Sequence, residues 1–226
     1  MADDYYIDLK KYPLDQFKNE LKESELLPSR KILKEQIDDR FKILSSNGIK
    51  NLGDLASSLK TPKKTKEFAL KSGLPSEYLL ILRREVNSYT PKPVNLDKFP
   101  GIQKDIINKL NGIGIKNTAH LFKKVKTIED REKLSFETDI DYEKITELTK
   151  LTDLSRIKWI GPIFARLFFE SGTDTAQKVS KADSRPLYRK LVEINAEKEY
   201  TKGKFIENDV ALCIKVSKMV PKVIEY

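Results

Sequence analysis

Residues 44–55 read LSSNGIKNLGDL, and residues 110–121, which lie 66 positions later, read LNGIGIKNTAHL. The matching pairs are Leu44 and Leu110, Gly48 and Gly114, Ile49 and Ile115, Lys50 and Lys116, Asn51 and Asn117, and Leu55 and Leu121. The same register continues without a gap to Leu82 and Leu148. A looser third copy follows 58 positions later, where Phe168, Gly172 and Val179 correspond to Leu110, Gly114 and Leu121. This periodicity predicts one supersecondary unit used three times, each copy burying its apolar face against its neighbour.

Apolar residues recur at helical spacing almost throughout the chain, so the sequence predicts an all-α protein. In each unit a glycine is predicted to end one helix. Three residues later, an Asn or Thr side chain is predicted to cap the N-terminus of the next helix. These pairs are Gly48 with Asn51, Gly114 with Asn117, and Gly172 with Thr175. Ahead of the first stop, Ile32, Ile37, Phe41 and Leu44 predict one continuous helix from about Ser29 to Ser46.

The clearest interruption of the helical pattern is the segment Thr90–Asn95. Pro91 and Pro93 exclude a helix there and favour an extended connector. We therefore expect an N-terminal helical domain over residues 1–93 and a C-terminal domain with two repeat units over residues 94–226.

The second and third units each begin with two short apolar segments that meet at a glycine-containing turn. The residues are Leu96, Phe99, Pro100, Gly101, Ile102, Ile106 and Leu110 in the second unit, and Leu154, Ile157, Trp159, Ile160, Gly161, Pro162, Ala165 and Phe168 in the third. This pattern resembles the helix-hairpin-helix motif, in which a Gly-apolar-Gly turn joins two helices. One glycine of each pair is replaced, by Gln103 in the second unit and by Trp159 in the third. The resemblance implies that backbone N–H groups at each turn bind a phosphate at a helix N-terminus.

Over nearly its whole length the chain resembles an uncharacterised bacterial family of tandem helix-hairpin-helix-like domains of unknown function. The segments that carry this resemblance are Leu27–Arg30, Leu82–Glu85, Pro91–Leu96, Phe99–Gly101, Leu151–Gly172, Leu187–Leu191, Asn195 and Lys202–Lys204. The resemblance implies a helical fold and contact with nucleic acid, and it assigns no activity.

Charge is distributed unevenly along the chain, which carries 43 Lys and Arg against 34 Asp and Glu. The segments Lys98–Lys126 and Leu154–Lys190 have net charges of about +6 and +5, whereas Thr127–Asp153 between them has about −5. A positive stripe across both turns suits a phosphate backbone. The residues predicted to face it are Gly101, Lys104, Lys116, Arg156, Lys158, Gly161 and Arg166. In the alternative interpretation, opposite charges on successive helices simply pair with one another.

Three further side chains are candidates for binding. Trp159 is the sole tryptophan and lies at the tip of the third unit's turn, where it packs under Pro162, stacks on a base or anchors a protein partner. Arg83 and Arg84 precede the proline connector and are expected either to clamp a phosphate or to bridge the two halves through Glu85 or a facing acid.

Composition excludes several classes of site. Cys213 is the only cysteine and His120 the only histidine, so the chain has no intrachain disulfide and no zinc site built on Cys and His. We expect no metal and no cofactor. The longest apolar run, Tyr78–Leu82, is too short for a bilayer, and residues 1–11 lack a secretory signal pattern, so a cytoplasmic protein is expected.

These observations favour a non-enzymatic module that binds nucleic acid without reading its sequence, DNA in preference to RNA. The alternative is a protein-interaction scaffold whose basic surface and Trp159 contact an acidic protein partner. An enzyme with carboxylates dispersed across the repeats is the third possibility. The sequence leaves the oligomeric state open.

Overall fold

The computed structural model describes residues 4–26 and 28–226, and within these ranges the protein is all-α, as predicted. The predicted domain start, residues 1–3, and Leu27 of the family resemblance lie outside the described residues. The α-helices are α1 (Leu14–Glu23), α2 (Ile37–Ser46), α3 (Leu52–Ser58), α4 (Pro62–Ser72), α5 (Ser76–Asn87), α6 (Lys104–Gly112), α7 (Thr118–Phe122), α8 (Ile128–Thr138), α9 (Tyr142–Ser155), α10 (Pro162–Glu170), α11 (Ala176–Lys181), α12 (Ser184–Lys198) and α13 (Glu207–Ser217). Three 3₁₀ helices cover Leu9–Lys11, Pro28–Lys34 and Leu96–Lys98.

The chain divides into two compact units. The N-terminal unit is Asp8–Thr90, and the C-terminal unit is Pro91–Tyr226 together with the N-terminal segment that ends at Ile7. The division after Thr90 lies at the start of the proline connector on which the predicted boundary rests. No pattern in the sequence indicates that the segment ending at Ile7 packs with the C-terminal unit.

All three predicted helix stops and starts are present in the structure. Each stop glycine has a positive φ: 88° at Gly48, 83° at Gly114 and 79° at Gly172. Each start has a side-chain oxygen that accepts a backbone N–H three residues later, at Asn51, Asn117 and Thr175. Glycine suits the left-handed conformation, and the cap satisfies an otherwise unpaired helix amide, so this short pattern sets the boundaries of six helices.

A hydrogen bond from the first residue of the second helix anchors each stop-and-start pattern. Leu52 N donates to Tyr12 O at 2.9 Å in the N-terminal unit, and Thr118 N donates to Val94 O at 2.8 Å in the C-terminal unit. In the third copy, Ala176 N donates instead to the carboxylate of Asp153 at 2.8 Å. A buried side chain there replaces a backbone carbonyl as the acceptor.

The predicted continuous helix from Ser29 to Ser46 is wrong. The segment forms the 3₁₀ helix Pro28–Lys34, breaks at Gln36, which has φ 47°, and resumes as α2. The Arg40 guanidinium donates to the Ile32 carbonyl at 2.9 Å and lies 4.4 Å from the centre of the Tyr78 ring. A side chain from the following helix thus satisfies a carbonyl that a continuous helix would pair with a backbone amide.

Each unit has its own core. In the N-terminal unit the buried carboxylate of Glu20 accepts hydrogen bonds from the hydroxyls of Tyr12 and Tyr89, which satisfy this polar group inside the core. In the C-terminal unit α9 is the central element and packs against α7, α8 and α10. Its last five residues, Leu151–Ser155, are all buried, so the turn that follows α9 begins inside the core.

Candidate nucleic-acid interface

The turn of the second repeat unit, residues 99–103, leads into the exposed N-terminus of α6. Gly101 adopts φ 81°, and α6 begins after Gln103 without a side-chain cap. Lys104 occupies the first turn of α6 and is exposed. The helix dipole and Lys104 favour an anion at this uncapped N-terminus, whereas the exposed carboxylate of Asp105 in the same turn opposes one.

Arg166 braces this turn from inside the protein. Its Nε donates to Pro100 O at 2.8 Å, one terminal nitrogen donates to Glu147 Oε1 at 2.7 Å, and the side chain lies against Gly101. The residue is only 5% exposed. Its prediction as a phosphate contact is therefore corrected: the guanidinium is committed to a carbonyl and a carboxylate, and it supports the turn that carries Gly101.

The turn of the third unit differs from that of the second at the equivalent positions. Trp159, 58 positions after Gly101, holds the left-handed conformation at φ 69°, which is costly for a residue with a large side chain. Gly161 has φ −77° and is the N-terminal cap residue of α10, a conformation open to any amino acid. This turn therefore does not use its glycine as the helix-hairpin-helix resemblance implies.

Lys158 and Trp159 form one contact at this turn. Lys158 is 1% exposed, and its Nζ lies 3.9 Å from the centre of the Trp159 ring. Its backbone carbonyl accepts a weak hydrogen bond from the Cys213 thiol, and burial raises the pKa of that thiol to about 12. Lys158 is thus placed in the interior rather than on a phosphate-facing surface, whereas Trp159 itself remains 42% exposed.

Arg156 is also buried, at 2% exposure, and joins three parts of the C-terminal unit. Its guanidinium donates to Asp153 Oδ1 at 2.6 Å and to the carbonyls of Asp4, Tyr5 and Pro221 at 2.8 to 3.0 Å. Burial raises the pKa of the Asp153 carboxyl, and the Arg156 charge opposes that shift. The prediction that Arg156 contacts phosphate is corrected here too, because its guanidinium donates to four acceptors within the protein.

The positive charge around α6 and α7 comes from the lysines within residues 98–126. Lys98, Lys109 and Lys126 pair with Asp97, Asp139 and Asp4. Four others are exposed and have no ion pair within the described part of the chain: Lys104 and Lys116, which the sequence predicted as contacts, and Lys123 and Lys124, which it counted only as local charge. Asp105 is the one acid in the stretch from Lys104 to Lys124. The sequence signal for all four was the local excess of lysine.

Arg83 and Arg84 have separate surroundings. Arg83 donates to the carbonyl of Lys60 at 3.1 Å, and Arg84 is exposed. Glu85, the predicted bridging acid, pairs with Arg30 of the same unit.

The structure also bears on metal binding and on membrane insertion. Within residues 4–26 and 28–226 no group of three His, Cys, Asp or Glu side chains is arranged to hold a metal ion. None of the helices described is both long enough and apolar enough to cross a membrane. The buried carboxylates of Glu20, Glu85 and Asp153 each bind tyrosine or arginine groups.

The C-terminal part of the chain matches a known protein family. A family described as "Domain of unknown function (DUF4332)" matches residues 100–216, which cover a little more than half of the chain and include both turns. No curated protein and no solved structure matches significantly. The matched range begins at Pro100 in the second unit's turn and ends in α13, so it corresponds to the helical part of the C-terminal unit. The protein thus belongs to the family of the domain of unknown function DUF4332.

Proposed function

We propose that the protein is a non-enzymatic module that binds the nucleic-acid backbone without reading sequence, DNA in preference to RNA. The observation that carries this proposal is the set of four exposed, unpaired lysines, Lys104, Lys116, Lys123 and Lys124. Lysines that have no acid partner within the protein release counterions when they meet a phosphate chain, which is the main source of sequence-independent affinity. A cytoplasmic location and a helix-hairpin-helix character are part of this proposal.

The second unit's turn supports the same proposal. Gly101 allows the backbone to approach a phosphate closely, and the uncapped start of α6 offers amide groups beside Lys104. Arg166 holds this turn in place from behind. The third unit's turn contributes Trp159 as an exposed ring on which a base can stack, while its neighbouring cations are used inside the protein.

The direct test is a fluorescence anisotropy titration with a duplex DNA and a duplex RNA of the same sequence. A variant with Lys104, Lys116, Lys123 and Lys124 all replaced by alanine should lose most of the affinity for both. The matched control replaces Lys181, Lys190, Lys202 and Lys204, four other exposed lysines without ion pairs, and removes the same charge. The control should lose much less affinity than the site variant. Equal losses in the two variants, or no binding by the wild type at low salt, would overturn the proposal.

A second candidate, a scaffold that binds an acidic protein partner, is favoured by one observation. Trp159 is partly exposed although its backbone is held in an unfavourable conformation. Strain of this kind concentrates at functional positions. Because Trp159 is the sole tryptophan, its emission reports on this turn alone. Quenching by single-stranded DNA would support stacking, whereas a change with polyglutamate and none with DNA would favour the scaffold.

A further inference from the structure

Two helices at equivalent places in the repeat each expose a large apolar side chain. Leu70 in α4 is 88% exposed, and Phe136 in α8, 66 positions later, is 92% exposed. The two helices start alike, because Thr61 and Thr127 cap them through the same hydrogen bond to the third residue. Single exposed apolar residues are common on proteins, but the recurrence of one at the same position of two repeats calls for an explanation.

The charges around these two side chains are opposite at every charged position that the two faces share. In α4 the exposed residues are Lys63, Lys66, Glu67 and Lys71, and their equivalents in α8 are Glu129, Glu132, Lys133 and Glu137. The pair Lys64 and Asp130 is reversed as well. The extra arginine of α8, Arg131, is buried and so leaves the surface charge of α8 negative.

These residues form one face of each helix. Positions 63, 66, 67, 70 and 71 recur at the three- and four-residue spacing that lines residues up along a helix, as do their equivalents in α8. We call the first set the α4 stripe (Lys63, Lys66, Glu67, Leu70, Lys71) and the second the α8 stripe (Glu129, Glu132, Lys133, Phe136, Glu137). Each consists of an apolar residue surrounded by charges of mostly one sign.

We infer that the α4 stripe of one copy of the protein binds the α8 stripe of a second copy. Charge complementarity selects this pairing, because α4 against α4 brings lysines together and α8 against α8 brings glutamates together. Leu70 and Phe136 then supply the apolar centre, with charged residues at the rim. For helices that run in the same direction, Lys63 faces Glu129, Lys71 faces Glu137 and Leu70 faces Phe136.

Such a contact is heterologous, because it joins two different surfaces. When two copies join, one α4 stripe and one α8 stripe stay unoccupied at the two ends of the pair. Further copies can therefore add head to tail, and the assembly is a ring or an open chain. A single helix face buries less than about 1,200 Å² in total, the range of weak and transient contacts. Association is therefore expected to strengthen with protein concentration and to weaken with salt, because most of the selectivity comes from exposed charges.

The test is sedimentation velocity across a concentration series without nucleic acid. In one variant the lysines at 63, 66 and 71 are replaced by glutamate, which makes both stripes acidic. In the other, the glutamates at 129, 132 and 137 are replaced by lysine, which makes both basic. Each variant alone should remain monomeric where the wild type assembles, and an equal mixture of the two should assemble again. The matched control reverses Lys181, Arg189 and Lys190, which are exposed on α11 and α12, and should assemble as the wild type does.

Thermal unfolding of each variant establishes that it folds, and the single change Phe136→Ser serves if a triple variant does not. Phe136→Ser should weaken assembly at least several-fold and leave the charge unchanged. The inference is overturned if the wild type is monomeric at every soluble concentration, or if the mixture of the two charge variants stays monomeric. It is also overturned if the variant with glutamate at positions 63, 66 and 71 binds DNA more weakly but assembles as the wild type does.

Discussion

At the residue scale, the glycines that end helices could be predicted from the sequence, whereas the burial of individual cations could not. Gly48, Gly114 and Gly172 were predictable helix stops, because glycine after a helical stripe has a known backbone role. The burial of Arg156, Lys158 and Arg166 was not predictable. The acceptors of the two arginines, the carbonyls of Tyr5, Pro221 and Pro100, come from distant parts of the chain, and local sequence carries no signal for them.

Substitution of the glycine in each of the two turns should change the free energy of unfolding in opposite directions. Gly101→Ala should lower the free energy of unfolding by about 1–2 kcal/mol, because a side chain at φ 81° is strained. Gly161→Ser should raise it by about 0.5 kcal/mol, since the serine adopts an ordinary conformation at the start of α10 and adds a cap. Urea unfolding measures both. A loss at position 161 equal to that at position 101 would contradict the assignment of the two conformations.

At the element scale, the sequence placed helix boundaries well where a local cap decides them and poorly where a distant side chain does. Asn51, Asn117 and Thr175 act within three residues of themselves, so their caps could be read from the sequence. The break at Gln36 depends on Arg40 reaching back to Ile32 and stacking on Tyr78 from α5. That contact joins elements far apart in the chain, and the apolar spacing of the segment is the same with or without it.

An ion-pair cluster between α9 and α11 should make stability depend on pH. Asp174 pairs with Lys150 and with Lys178, each at 2.6 Å. Burial alone would raise the pKa of Asp174, but the hydrogen bonds from the two lysines outweigh it and hold the pKa below its ordinary value of 3.8. A lowered folded-state pKa contributes stability above the unfolded-state value, and this contribution is lost as the pH falls through the folded-state pKa.

Asp174→Asn should therefore be less stable than the wild type by about 1–2 kcal/mol near pH 6, and the difference should shrink as the pH approaches about 3. Chemical denaturation at the two pH values measures it. Glu193→Gln, a change at an exposed position of α12 without an ion pair, is the control and should show no such difference. A gap for Asp174→Asn that is constant with pH would contradict the role of the ion pairs.

At the scale of the whole molecule, the all-α class could be predicted from the sequence, whereas the distribution of exposed charge could not. The net charge of +9 and the basic segments are sums over residues, and a sum does not show which charges are buried. Three of the five cations predicted to face phosphate lie in the interior. The remaining two, Lys104 and Lys116, lie in the stretch that also holds Lys123 and Lys124, and this stretch defines the proposed interface.

The connector gives a prediction at this scale. Limited digestion with a protease of broad specificity should cut first within Thr90–Asn95, because this segment joins two units with separate cores. Mass spectrometry of the early fragments locates the cut. Cleavage first within Gly114–Lys124 would contradict the division into two units.

The salt dependence of DNA binding tests the central claim, that surface lysines rather than the buried cations of the turns contact phosphate. The slope of the logarithm of the binding constant against the logarithm of salt concentration falls by about 0.9 in magnitude for each duplex phosphate contact removed. Lys116→Ala should reduce the slope by about that amount for every DNA sequence tried, and the control Lys181→Ala should leave it unchanged. An unchanged slope for Lys116→Ala, in a protein that still binds DNA, would contradict the account.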